Sequence, residues 1–287
     1  MRTPYRNSGL DSPYLRRMLK ALDYLWRHLD ASVSLERLAE EACLSPYHFH
    51  RVYHALMAET VGETRQRLLL HRAAGELGGS PLPLLRVAAR AGYGSAAAFI
   101  RAFSQAYGES PGRYRKRRAF IVRQNRESLM HEVSMLKQQQ GLRVLMRRHR
   151  GSYMEIGQAF GALQAISAGH EAGEAPGRVF AMFLDDPEQI SAAELRSIAC
   201  VTAPAGWEDK ALPEGFEWGE IPAGEYACAM HLGPYAELKT TWDWLYRHWL
   251  PDSGQVPGDV PCIEEYLNSP YDTAPKDLRT RLMLSLA

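Results

Sequence analysis

Apolar positions in the first part of the chain recur at helical spacing. Leu15, Met18, Leu19, Leu22, Leu25 and Trp26 share one side of a helix that Ser12-Pro13 would open. Leu35, Leu38, Ala39 and Ala42 form a second stripe, and Cys43-Leu44 turns the chain. Ser45 can cap the next helix, with Pro46 at its first position, where a missing N–H costs nothing. Phe49, Val52, Tyr53 and Leu56 then face a core. The same pattern returns 49 to 50 residues later: Val87, Ala88 and Ala91, a turn at Gly92, Ser95, then Phe99, Ala102 and Phe103. Residues of about 64–77 join the two copies, and Ser110-Pro111 caps a last helix. Each copy reads as helix, tight turn, helix, with small residues at 39, 42, 88 and 91 letting the two helices cross closely.

The second part alternates apolar and polar residues, which is the strand period. Strands are expected at His131–Lys137, Leu142–His149, Phe216–Ile221 and Tyr226–Leu232, paired as two hairpins. This part is also duplicated. Gly151-Ser152-Tyr153, Glu155 and Phe160 match Gly233-Pro234-Tyr235, Glu237 and Trp242 at an offset of 82, and Asp185 and Arg196 match Asn268 and Arg279 at 83. After each Gly-x-Tyr turn come a helix, a strand ending in Leu-Asp/Asn-x-Pro, and a final strand at Ile198–Ala203 or Leu282–Leu286. The expected fold class is multidomain: an all-α tandem helix-turn-helix domain, then an α+β domain of two pseudo-symmetric strand-strand-helix-strand-strand repeats. The boundaries expected are 10–122, a linker at 123–130, and 131–287. The groove between the two repeats is the natural place for a small ligand.

Charge sharpens this division. The net charge of +1 hides +11 on residues 1–126 and −10 on residues 127–287. A basic half attracts polyanions and an acidic half repels them. Ordinary globular composition excludes a mainly disordered chain. No apolar run approaches the roughly 18 residues of a membrane span, so no membrane partner is expected. The N-terminus lacks an apolar signal core, so the expected location is cytoplasmic. The four cysteines show no metal-like spacing and read as small buried hydrophobes. His50 and His54 are four apart, but no acidic or Cys ligand joins them, so no metal or cofactor is expected. No Ser-His-Asp or Cys-His arrangement marks a nucleophile.

Two helix-turn-helix copies in register resemble the DNA-binding domain of the AraC family of transcriptional regulators. The second copy carries the more specific motif: A-x-x-A-G-Y, F-x-R-x-F and G-x-S-P-x-x-Y-R, ending at Tyr114-Arg115. The resemblance implies that both second helices enter successive major grooves of double-stranded DNA. On the first, Tyr47, His50 and Arg51 would meet base edges, and Arg51 can donate two hydrogen bonds to guanine. On the second, Ser95 and Arg101 are candidates, but positions 96–98 are all alanine, so most base discrimination is expected from the first copy. Arg113 and Arg115, within a basic run ending at Arg118, are candidate phosphate contacts. A tandem unit can cover two grooves as a monomer, so monomer and homodimer both remain open.

The acidic half resembles the GyrI-like (SbmC-like) effector-binding domain over about residues 131–287. The carrying motifs are R-H-R-G-S-Y-M-E-I, F-L-D-D-P, H-L-G-P-Y-A-E-L and P-C-I-E-E-Y-L-N-S-P. The resemblance implies a pocket for an amphipathic, often cationic molecule, with Glu264 and Tyr266 in it. The residues point the same way unaided. Glu264 and Glu265 stand in a core strand where the first repeat has Ala181 and Met182. Alternation sends the two carboxylates to opposite faces, one to solvent and one into the groove. A bound cation would pair the inward one, with Trp242, Trp244, Tyr153 or Tyr235 adding cation–π contact. The reading is a non-enzymatic transcriptional regulator whose partners are DNA, a small effector and RNA polymerase. The alternatives are a small-molecule hydrolase fused to a DNA-binding domain and a protein-binding inhibitor.

Overall fold

The computed structural model describes residues 13–31, 33–124, 132–167, 177–203, 207 and 211–287. Ser12 and most of the expected linker lie outside the described residues. The helical part contains α1 (Pro13–Arg27), α2 (Leu35–Glu41), α3 (Pro46–Met57), α4 (Val61–Gly79), α5 (Leu84–Arg90), α6 (Ala96–Tyr107) and α7 (Pro111–Gln124). The caps read from the sequence are made. Ser45 Oγ accepts from the His48 amide at 3.3 Å, Ser95 Oγ from Ala98 at 3.2 Å, and Ser110 Oγ from Arg113 at 3.3 Å.

The two helix-turn-helix copies share their turn geometry but not their turn residues. The inter-helix turn has φ 50° at Cys43 and 79° at the matching Gly92; the end of the second helix has φ 56° at Ala58 and 74° at Gly108. The first copy therefore holds two side-chain-bearing residues in the left-handed region, each at a cost of roughly 1 kcal/mol. Ala58→Gly should stabilise the protein by up to roughly 1 kcal/mol, less the extra freedom glycine gives the unfolded chain. A urea midpoint that falls instead would contradict this account of the turn. The same geometry corrects one cysteine expectation: Cys200 and Cys228 are buried, but Cys43 is exposed on its turn and Cys262 is half-buried.

The chain packs as two compact units that cut across the expected domains. Unit 1 is Met1–Arg65 with Gly141–Ile221, and unit 2 is Gln66–Gln140 with Pro222–Ala287. Each therefore combines one helix-turn-helix with most of one repeat of the acidic half.

In unit 1, β2 (Leu142–Arg150), α8 (Gly157–Ser167), β3 (Val179–Phe183), β4 (Arg196–Thr202) and β5 (Glu217–Ile221) follow one another, with strand order β3-β4-β2-β5. Helix α8 lies on α1 and α3. Ala165 joins the core of Met18, Leu25, Leu38, Phe49 and Tyr53, and Gln164 Nε2 donates to the Met57 carbonyl at 3.2 Å. Gly161 makes the approach close: a Cβ there would lie 3.7 Å from Met57 and 3.8 Å from Trp26.

In unit 2, β1 (Val133–Gln138), β6 (Gly224–Leu232), α9 (Leu238–Trp244), β7 (Cys262–Tyr266) and β8 (Arg279–Ser285) give the order β1-β6-β8-β7. The helical core here is Leu70, Ala74, Leu77, Val87, Phe99, Phe103 and Tyr114, with Ala236 packed against it. A 3-10 turn, Tyr235–Glu237, leads into α9, which continues as a π-helical stretch, Leu245–Trp249.

The strands form where expected, but neither hairpin does. β1 pairs with β6 (Val133 opposite Ala229), and β5 pairs with β2 (Gly219 opposite Val144). The first strand of each repeat has thus joined the second strand of the other. At Gly219 the Met146 side chain of β2 occupies the space a Cβ would take. The Leu-Asp/Asn-x-Pro motif also has a structural role. Asp185 accepts from the Arg196 amide at 2.7 Å, and Asn268 accepts from the Arg279 amide at 2.8 Å.

Candidate functional site

On α3, Phe49, Val52, Tyr53 and Met57 are buried, while Tyr47, His50, Arg51 and His54 are exposed. Those four stand at i, i+3, i+4 and i+7, one stripe opposite the core stripe. Tyr47 is 64% exposed, a large value for an aromatic ring. Arg51 Nη1 donates to the Tyr47 hydroxyl at 2.8 Å, and its guanidinium lies 5.6 Å from the ring centroid. The guanidinium is thereby held along the helix surface in a fixed plane, with donors left over.

The matching surface of α6 is poorer. Arg101 and Ala97 are exposed, Ala96, Ala98 and Ile100 are half-buried, and the Ser95 hydroxyl oxygen is used as the helix cap. On α7, Arg113 and Lys116 are exposed. Arg115 differs from expectation: it is half-buried, and its Nη2 donates to the Leu82 carbonyl at 2.6 Å. Arg117 and Arg118 also turn inward, because Tyr114 on the same side of the helix is fully buried. The surface part of the basic run is therefore Arg113 and Lys116.

In unit 2, alternation places Cys262, Glu264 and Tyr266 on one face of β7. Glu264 is 4% exposed. The Trp242 indole N–H donates to its Oε1 at 2.9 Å, and the Tyr266 hydroxyl donates to its Oε2 at 2.8 Å. Trp242 stacks on Tyr246 at 6.0 Å, Tyr246 OH meets Cys262 Sγ at 3.1 Å, and the Tyr235 ring stands edge-on to Tyr266 at 5.1 Å. Trp244 is half-buried in the neighbouring core of Ala227, Leu245 and Leu284. Burial pushes the Glu264 carboxyl up to about 7, against the opposing pull of its two donors. A carboxylate under aromatic rings, with neutral donors on both oxygens, is a place where a cation gains both charge pairing and ring contact.

The two adjacent glutamates do not divide as expected. Glu265 is also 4% exposed rather than solvent-facing, because β8 brings Arg281 opposite it and the two form an ion pair. Tyr153, in unit 1, is the counterpart of Tyr235 but does different work. Its hydroxyl donates to the Asp185 carbonyl at 2.7 Å, and its ring packs on Phe183 at 4.7 Å.

Several residues of this neighbourhood were not singled out by the sequence. Tyr246 arrives through the π-helical stretch, which shifts the side-chain phase by one position. Glu237 is 8% exposed and accepts from Arg117 at 2.8 and 3.0 Å, and His71 of α4 meets the Tyr235 ring at 6.2 Å. The one signal for Glu237 was its place in the repeated Gly-x-Tyr-x-Glu pattern, whose other copy, Glu155, is exposed. Among the described residues, no helix is long and apolar enough to cross a membrane, and no His, Cys, Asp or Glu cluster could hold a metal ion.

Comparison with known families matches residues 132–287 to the GyrI-like small molecule binding domain and residues 38–117 to a helix-turn-helix domain. A DNA gyrase inhibitor from Erwinia billingiae (strain Eb661) is 31% identical over 105 residues, covering 36% of this chain and 66% of that protein. A probable transcriptional regulator, YgiV, from Escherichia coli O157:H7 is 28% identical over 113 residues, covering 38% and 68%. The MmsAB operon regulatory protein of Pseudomonas aeruginosa is 34% identical over 114 residues, covering 40% of this chain and 35% of that one. The chain thus spans about two thirds of the length of the first two relatives and about a third of the third.

Proposed function

Because the chain belongs to the GyrI-like small-molecule binding family, with a helix-turn-helix domain ahead of that match, we propose that it is a transcriptional regulator that reads duplex DNA and responds to a small amphipathic cation. The observation that carries the reading is the exposed Tyr47–His50–Arg51 stripe on α3, aimed outward from a helix whose other side is core. That is the arrangement by which a second helix presents donors to base edges in a major groove. Arg113 and Lys116 supply positive charge for phosphates. The basic half favours DNA, and the acidic half favours a cation.

The effector reading rests on Glu264. In this structure the carboxylate is covered by the Trp242 and Tyr266 donors, so a ligand enters by displacing one of them and supplying the compensating charge itself. The proposed event is stoichiometric binding with an output on transcription by RNA polymerase, not turnover.

The test begins with duplexes selected from a random pool by the full chain. Affinity for a selected duplex should fall steeply with salt, and Arg51→Ala should cost about 10- to 100-fold, in keeping with roughly 1–3 kcal/mol for one bidentate base contact. Binding to unselected DNA should change far less. Affinity that ignores both sequence and Arg51→Ala would overturn the DNA reading.

A further inference from the structure

Glu264 is joined to the second helix-turn-helix by contacts that all lie within unit 2. The Tyr266 hydroxyl holds Glu264 Oε2 at 2.8 Å, the Tyr266 ring abuts Tyr235 at 5.1 Å, and Tyr235 abuts His71 of α4 at 6.2 Å. Tyr235 also opens the 3-10 turn that ends in Glu237. From that turn, Glu237 takes a two-pronged bond from Arg117 of α7, at 2.8 and 3.0 Å. The Ala236 carbonyl accepts from Arg118 at 3.3 Å, and Thr240 accepts from Arg118 at 2.8 Å. One short turn therefore touches the carboxylate's aromatic donor at one end and the last helix of the DNA-binding part at the other.

The Glu237–Arg117 joint is built so that it can open. Arg117 Nε also donates to Glu109 of its own helix-turn-helix at 2.8 Å, so the guanidinium keeps a carboxylate if Glu237 leaves. The joint lines an open pocket of about 250 Å³, together with Tyr107, Tyr114 and Lys276. The buried Tyr114 hydroxyl lies beside Glu237, and burial first, then the Glu237 charge and its interaction with the hydroxyl, hold the phenol proton on. A departing Arg117 would thus leave Glu237 with a ready donor. On opening, Arg117 keeps Glu109 and Glu237 keeps the nearby Arg118 charge, so neither group is left wholly uncompensated, and breaking a buried pair is costly chiefly when one is. Two arrangements that each keep these charges partnered are what a coupling element needs.

We propose that the Tyr235–Glu237 turn transmits the state of the Glu264 site to the second helix-turn-helix, with Tyr235 following Tyr266 and the Glu237–Arg117 pair acting as a releasable joint. This rests on the effector reading for its stimulus but not for its route. Glu237 and Arg117 are positioning residues here, and neither is assigned a contact with the cation.

The test is amide hydrogen exchange on the full chain, with tetraphenylphosphonium as probe and Glu264→Gln as a ligand-free change of the same site. Either change should alter exchange in α7 by at least about five-fold. In Glu237→Gln the α7 response should vanish. Because coupling is reciprocal, the probe's Kd should also shift by about five-fold or more in that variant, although Glu237 lies outside the site. Arg117→Lys, which keeps the charge but not the fork, should give the same loss in milder form if Glu237→Gln folds poorly. Unchanged exchange in β4 of unit 1 would report that the variants are folded. A silent α7 in the wild type, or a response that survives Glu237→Gln, overturns the relay. If the probe fails to bind while Glu264→Gln still moves α7 through Glu237, the cation reading falls and the relay stands. If the probe binds and α7 stays silent, the reverse holds.

Discussion

Glu264→Gln should weaken binding of a lipophilic cation such as tetraphenylphosphonium by about 10- to 100-fold, or roughly 1.4–2.8 kcal/mol. It should also abolish the pH dependence of that binding. The wild-type carboxyl titrates at about 7, raised from 4.5 by burial, so at neutral pH a cation competes with a proton for the same two oxygens. Affinity should therefore rise by nearly ten-fold per pH unit below about 7 and level off above about 8. Calorimetric titration at several pH values checks both parts. A flat wild-type profile, or a variant that binds as well at pH 8, would sink the assignment. Stability carries an independent signature. Between about 4.5 and about 7 the folded chain holds a proton that the unfolded chain releases, so stability falls as pH rises through that window. The glutamine variant lacks this loss. Its stability should exceed that of the wild type above pH 7 by up to roughly 3 kcal/mol, because each pH unit of that window is worth about 1.4 kcal/mol. A group whose burial is costly in the free protein is the kind that a binding partner can relieve.

The helical half was readable because its determinants are local. Each stripe, cap and turn lies within a dozen residues, and the duplication supplied a second copy to check the first. Left-handed backbone at Gly92 and Gly108 marked the matching turns, with Cys43 and Ala58 adopting them in the first copy. The strands were readable one by one for the same reason. Their pairing was not, because alternation identifies a face but not a neighbour. The contact of β5 with β2, where Met146 fills the space beside Gly219, joins residues more than 70 positions apart. The compact units were hidden likewise. Composition divides the chain near residue 126, but packing divides it through α4 and between Ile221 and Pro222. Small residues at Gly161, Ala162 and Ala165 were the trace of α8 lying close on another helix pair. Glu264 was legible as an odd charge in a core strand. Trp242 and Tyr266, which cover it, were also legible, whereas Tyr246 was not, because it depends on a π-helical shift that no period announces.

Arg281→Met should destabilise the protein by about 1–3 kcal/mol at pH 8, in the opposite direction to Glu264→Gln under the same conditions. Glu265 and Glu264 are neighbours with equal burial, 4% exposed each, but their carboxylates are balanced differently. Glu265 has a full positive charge opposite it on β8 in Arg281, whereas Glu264 has an indole N–H and a phenol. Removing Arg281 takes away the charge that faces Glu265, and removing the charge at Glu264 relieves a buried anion held by neutral donors. A double variant, Glu265→Gln with Arg281→Met, should recover most of the loss, because a buried pair replaced on both sides is often close to neutral. Urea unfolding of the two single variants and the double variant measures the coupling directly. If Arg281→Met cost less than about 1 kcal/mol, Glu265 would not depend on that partner. The structure would then offer two candidate cation-binding carboxylates on β7 instead of one. A large coupling leaves Glu264 as the member of the pair whose charge is free to be claimed from outside.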